Sequence, residues 1–234
     1  MKRNPRRKNT EPSGGKSAAT RRHIYETALR LFQKNGFEET TMRQVAKEAG
    51  VALGGAYYYF ASKDEVVMEF YRDSQADAVA GLEVILKEEK RLGTRIIRMT
   101  EERLALFRPY KKLMWVLARN AVLPDHPLSP FGAATAEIRG EAMALFERCI
   151  ADAKPSAPRL AASLPTLLWL YQMGIIFFWI TDTSKDEART RRLLHTTAQI
   201  LETLIGYSSL PIFKGTLSKI TELVTSLSES GKSA

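Results

Sequence analysis

The chain has 234 residues, 44% of them hydrophobic, and 35 Lys and Arg against 26 Asp and Glu give it a formal net charge of +9. This composition can fill a core and excludes a fully disordered chain, and the length allows one large domain or two small ones. Cys149 is the only cysteine, which excludes an intramolecular disulfide and a cysteine-cluster metal site and agrees with a reducing, cytoplasmic setting.

The charge is concentrated at the start. Residues 1–22 carry eight basic groups (Lys2, Arg3, Arg6, Arg7, Lys8, Lys16, Arg21, Arg22) and one acid, Glu11, and the rest of the chain sums to +2. Such a stretch suits an anionic polymer or a membrane surface, or is a solvated end of no further consequence. Met1 to Ala19 has no apolar run after its positive start, so it does not read as a secretory signal. Residues 1–19 are expected to form a disordered basic tail.

Apolar residues then recur every three or four positions almost throughout, without a convincing alternating run, and the expected fold class is all-α. A first helix spans about Thr20 to Lys34 and stops at Asn35-Gly36. Thr41-Met42-Arg43-Gln44 has capping-box spacing, so a short helix runs from Met42 to Ala49 and ends at Gly50. Another short helix spans Ala52 to about Tyr59. Ser62-Lys63-Asp64-Glu65 is a second capping box, opening a helix that could reach Arg91 before Gly93. Further helices are expected at about 94–108, 110–123, 130–153 (with Ser129 as cap and Pro130 at the first helical position), 157–181, 184–206 (opened by the Ser184-Lys185-Asp186-Glu187 box) and 215–229.

Residues 37–63 are the informative segment. Val45, Ala46 and Ala49 form the inward face of one helix, Gly50 supplies a turn, and Val51 returns to the core. On the next helix Ala56 and Phe60 can face Val45 and Ala46, while Leu53/Tyr57 and Gly54/Tyr58 point away, toward a groove. Gly54 and Gly55 each cost a helix about 1 kcal/mol against Ala, so something must favour them, and close approach to a sugar-phosphate backbone is one such reason. Tyr57, Tyr58 and Tyr59 offer hydroxyls to phosphates; alternatively, they are half-buried aromatics of a small core. The layout is that of a helix-turn-helix.

The run from Thr40 through Ala-Gly-Val at 49–51 and Tyr57-Tyr58-Tyr59-Phe60 to Ser62-Lys63-Asp64-Glu65 closely resembles the DNA-binding signature of the TetR family of bacterial repressors. The resemblance covers about 45 residues; beyond about residue 70 it is one of layout only. It implies a three-helix DNA-binding domain at 20–66, a larger helical effector-binding and dimerisation domain at 67–209, and a C-terminal helix with a frayed end at 210–234. It also implies a homodimer that represses transcription from a palindromic operator and is released by a small molecule. Carried over by position, Thr41, Tyr58 and Lys63 match phosphate-contacting residues, and Arg43, Leu53, Gly54, Gly55 and Tyr57 match residues in or beside the major groove. The family often has Ser at the position of Ala52, Lys or Arg at Leu53, and Leu or Ile at Ala56. Base readout here would therefore rest on Arg43 toward guanine and Leu53 against a thymine methyl.

In the C-terminal part, helices 157–181 and 184–206 are the expected dimer interface. The first is mostly uncharged, and the second carries Leu193, Leu194, Thr197, Ile200, Leu201, Leu204 and Ile205. An effector pocket among the middle helices would draw on Phe107, Met114, Trp115, Trp169, Met173 and Phe177, with Arg119, Gln172 or His195 as polar anchors, and would suit an apolar or aromatic ligand. The uncharged Leu160–Thr181 span keeps a membrane-associated helical protein as the alternative, although Pro165, Tyr171 and Gln172 interrupt it. No His-Glu-x-x-His, Gly-x-Ser-x-Gly or P-loop is present and the three histidines lie far apart, so no catalytic residue, metal or cofactor is expected. The sequence leaves activation as open as repression.

Overall fold

In the computed structural model, residues 13–121, 123, 126–155, 160–208, 215, 218–219 and 222–224 are described. Among them there are nine α-helices and no β-strand: α1 (Ser13–Asn35), α2 (Met42–Glu48), α3 (Leu53–Tyr59), α4 (Lys63–Glu88), α5 (Leu92–Phe107), α6 (Lys111–Ala121), α7 (Ala136–Ala151), α8 (Leu164–Thr181) and α9 (Ala188–Tyr207). The chain divides into two compact units, one ending at Val66 and the other beginning at Val67.

The first unit is built on α1, whose Ile24, Tyr25, Ala28, Leu29 and Phe32 are buried together with Val45, Ala46, Ala56 and Phe60. The second has a core in which Leu82, Ile96, Phe146, Cys149, Leu168, Trp169, Ala198 and Ile205 pack together. Cys149 is fully enclosed there, and burial pushes its thiol up to about 12.

Several helix boundaries differ from the sequence reading. Helix α1 begins at Ser13, so 13–19 are helical rather than tail, while residues 1–12 lie outside the described set. The long helix α4 ends at Glu88, and Gly93 lies inside α5 instead of stopping it. There a Cβ would stand 3.3 Å from the Ala198 carbonyl, so the missing side chain lets α9 come close. Ser129-Pro130 does not open α7. Ser129 Oγ donates to the Ala121 carbonyl at 3.2 Å, and Thr135 and Arg139 tie back to the carbonyls of residues 129–132, so the helix starts only at Ala136. Helix α8 starts at Leu164, because Pro165 is tolerated in a first turn and not in the interior of a 157–181 helix. The helix expected at 215–229 falls largely outside the described residues.

The start of α9 also departs from its predicted capping box. Asp186 and Glu187 adopt left-handed backbone conformations, Ser184 Oγ accepts the Arg189 amide at 3.1 Å instead of the Glu187 amide, and Asp182 supplies the rest of the cap. Its carboxylate accepts the Ser184 amide at 2.9 Å, the Thr190 amide at 2.9 Å and the Thr190 hydroxyl at 2.6 Å. Hydrogen bonds from Thr190 and Ser184 hold its pKa well below the usual carboxylate range. A lowered folded-state pKa contributes stability above the unfolded value, and that contribution disappears as the pH falls through the folded one. Asp182→Asn is therefore expected to lower the denaturation midpoint most at pH 7, the gap to wild type closing below about pH 4; urea melts across pH check this, and a pH-independent gap would refute it.

Candidate nucleic-acid interface and interior cavity

The turn between α2 and α3 is set by local chemistry. Thr41 caps α2: its hydroxyl oxygen accepts the Gln44 amide at 3.2 Å, and the Gln44 carboxamide oxygen accepts the Thr41 amide at 2.7 Å, the reciprocal box expected from the sequence. At the other end Gly50, at φ +65°, takes the left-handed conformation. The Gly50 amide donates to Lys47 O at 3.2 Å and the Val51 amide to Ala46 O at 3.0 Å. This is a Schellman closure, which turns the chain directly into α3.

Helix α3 has seven residues, two glycines and no side-chain cap, so tertiary burial holds it. Ala56 and Phe60 supply that burial. The opposite side is open: Tyr58 is 80% exposed and Tyr57 49%, Gly54 is exposed, and Leu53 and Gly55 are half-buried. A Cβ added at Gly54 or Gly55 would meet nothing within 4 Å, so no contact within the chain requires glycine there. Tyr59 is turned to the first helix, its hydroxyl 3.3 Å from Ser17 Oγ. Arg43 is exposed, with no ion pair among the described residues.

Lys63 has a task the sequence did not disclose. Its Nζ donates to Phe37 O at 2.7 Å and Glu38 O at 3.2 Å and stands 4.6 Å from the centre of the Phe37 ring. The ammonium thus fastens the loop between α1 and α2, leaving one N–H for another acceptor. The second predicted box is shifted by one residue: Ser62 Oγ accepts the Glu65 amide, but the Glu65 carboxylate accepts the amide of Ala61.

The second unit holds a cavity of ≈ 100 Å³, open on one side, between α4, α5, α6, α7 and α8. Of the residues expected to line a pocket, Phe107, Met114, Trp169, Gln172, Met173 and Phe177 do so. Trp115 and Arg119 are exposed on the far side of α6 and lie outside the lining, because Met114, Leu117, Ala118 and Ala121 carry the inward face. His195 is outside too, with Nε2 2.9 Å from the Glu101 carboxylate. The lining also holds residues sequence reasoning missed, chiefly Tyr71, Ser74, Gln75, Arg103 and Arg139. The hydrophobic spacing of α5 offered one clue: Arg103 falls on its buried face, between Thr100 and Phe107.

Helix α8 is the one helix among the described residues long and apolar enough to cross a membrane, and half of it is buried within its own chain.

Residues 24–70 match the family model described as bacterial regulatory proteins of the tetR family, and residues 95–227 match the tetracyclin repressor-like C-terminal domain. Over 58 residues the chain is 38% identical to the HTH-type transcriptional regulator AcrR of Shigella flexneri, covering 25% of this chain and 27% of that protein. The chain spans between about a sixth and a little over a third of the length of the curated relatives it matches. A TetR transcriptional regulator from Nitrosomonas europaea shares the fold with a TM-score of 0.61 at 16% identity, over 78% of this chain and 97% of that one. So does the transcriptional regulator FadR from Bacillus subtilis, solved in complex with stearoyl-CoA, with a TM-score of 0.54 at 16% identity over 80% and 98% of the two chains. Because the two family models together cover both the helix-turn-helix and most of the helical remainder, the chain belongs to the TetR family of DNA-binding transcriptional regulators, a family of regulators and not of enzymes.

Proposed function

We propose that the protein is a cytoplasmic homodimeric repressor that binds a palindromic operator and leaves it when a small molecule enters the cavity of the second unit. The observation that carries the reading is the two-sided α3: Ala56 and Phe60 are buried while Tyr57, Tyr58 and Gly54 are presented outward with nothing of the chain against the glycine. Residues 20–66 form the DNA-binding domain, with Arg43, Leu53, Gly54, Gly55 and Tyr57 in or beside the major groove and Thr41, Tyr58 and Lys63 toward phosphates. Residues 67–209 bind the effector and the second subunit. The basic residues near the N-terminus add sequence-independent attraction.

Dimerisation draws support from two adjacent helices. Tyr171 of α8 bonds to Thr197 of α9 at 2.7 Å, and the pair leaves Leu170 and Gly174 of α8 and Ile200, Leu204 and Tyr207 of α9 exposed. An apolar face of this kind calls for a partner, and a second copy presents the same face in return. The effector reading draws on the largely apolar, aromatic lining of the cavity; the FadR structure with stearoyl-CoA is a relative in fold whose ligand has a long apolar tail. To act, the ligand must favour a conformation in which the two DNA-binding heads no longer match the operator, since equal affinity for both states shifts nothing.

The test is to select bound sequences from a pool of random duplex DNA. The expected product is an inverted repeat with half-sites about one helical turn, ~34 Å, apart or a multiple of it. A single unrepeated site would refute the dimeric reading, and no enrichment would refute specific binding.

A further inference from the structure

The cavity lining is largely apolar, with a few neutral polar side chains; its charged groups are two arginines, and their partners are unusual. Arg103 is 8% exposed. Its Nη1 donates to Ser74 O at 2.7 Å and to Ser74 Oγ at 3.0 Å, and its Nη2 donates to Gln75 Oε1 at 2.9 Å. All three acceptors are neutral. No carboxylate oxygen of a described residue comes within 4.0 Å, and Asp77 attracts the guanidinium only from farther away. Burial lowers the Arg103 pKa to about 10, so the group is still a cation at neutral pH. Arg139, half-buried, likewise spends Nη1 on neutral carbonyls, Pro130 O at 2.8 Å and Gly132 O at 3.0 Å.

An enclosed charge is costly unless it is paired with an opposite one. Guanidinium has five N–H donors, and three hydrogen bonds leave Arg103 with Nε–H and one N–H of Nη2. The Nε/Nη2 edge is the one this chain uses on carboxylates elsewhere. Arg91 grips Glu202 with Nε at 3.3 Å and Nη2 at 2.6 Å, and Arg108 grips Glu187 with Nε at 3.3 Å and Nη2 at 3.0 Å. A second space of ≈ 90 Å³ adjoins the first, shares Ser74, Arg103, Ala142 and Gln172 with it, and is lined by Asp77 and Glu102. The acidic groups near Arg103 thus belong to that side, while the larger apolar space offers cations and no carboxylate.

We infer that the effector is a carboxylate carried on a small apolar body, its carboxylate held by Arg103 with Arg139 as the second cation of the lining and its body against Phe107, Trp169 and Phe177. This rests on the reading of the cavity as the effector site. At ≈ 100 Å³, below the roughly 150 Å³ of an apolar cavity that accepts benzene, and open on one side, the space suits a small body and lets a longer one extend outward.

Calorimetric titration of the full chain with benzoate and hexanoate, against benzamide and hexanamide, tests the inference. Wild type is expected to bind the carboxylates at least tenfold more tightly than the amides. Arg103→Met, close in volume and free of the buried charge, is expected to erase that preference while still binding the amides. Arg103→Lys keeps the charge without the fork and is expected to cut the preference about tenfold, which decides the matter should the Met variant fail to fold. Amides binding as well as carboxylates in wild type, or a preference unchanged in both Arg103 variants, would overturn the anionic assignment and leave the cavity reading intact. Binding of neither class would overturn both.

Discussion

Replacing Gly174 by arginine is expected to leave the subunit folded and to weaken operator binding by about 10²- to 10⁴-fold. Gly174 lies exposed midway along α8, and a Cβ there would meet nothing within 4 Å, so the chain itself has room for a long side chain. Helix propensity even favours the change, by about 1 kcal/mol relative to glycine. In the proposed dimer the same position faces the second copy, where a charged side chain holds the helices apart. Two linked heads gain 10²–10⁴ over one from effective concentration alone, and that is the factor forfeited when the copies separate. Light scattering and operator titration on the same preparation check it. A dimer of unchanged affinity would place the interface elsewhere.

The second large effect is expected at Gly54. Gly54→Ala should raise the melting temperature, because alanine is better than glycine in a helix by about 1 kcal/mol and nothing in the chain opposes the methyl group. Operator affinity should move the other way. If the exposed α3 backbone approaches DNA closely, a Cβ displaces at least one hydrogen bond to phosphate, about 1.5–3 kcal/mol for a charged acceptor, in each of two half-sites. At 1.4 kcal/mol per tenfold, the loss is about a hundredfold or more. A stabilised protein that binds worse separates the two roles of the residue; a stabilised protein with unchanged affinity would remove Gly54 from the interface.

The helix-turn-helix was legible because local chemistry decides it. The Thr41 box, the Gly50 turn and the burial of Ala56 and Phe60 depend on neighbours within a few positions, and each is present as the spacing implied. From the sequence Lys63 reads only as a phosphate donor, since its hold on Phe37 O and Glu38 O joins residues 25 or more positions apart. The same limit explains the helix starts. Asp182 takes the Thr190 amide and the Ser129 hydroxyl closes on the Ala121 carbonyl, each across eight positions, which no capping-box spacing spans. In the cavity, aromatic and sulfur-bearing side chains announce an apolar lining, but hydrophobic content cannot tell which side of α6 faces inward. Trp115 and Arg119 therefore read from the sequence as pocket residues. Arg103 is hidden for the converse reason: a charge on a buried face breaks the hydrophobic pattern, and only its partners explain it.

The enclosure of Cys149 has a practical side. With its thiol wholly inside the second core and held protonated well above neutral pH, the native cysteine offers no nucleophile to maleimides or to mild oxidants. Because it is the only cysteine, a single one introduced at an exposed position such as Tyr58 would take a dye or spin label alone, with no native residue to remove first. The distance between the two labelled heads of an assembled regulator then becomes directly measurable, with and without a ligand in the cavity.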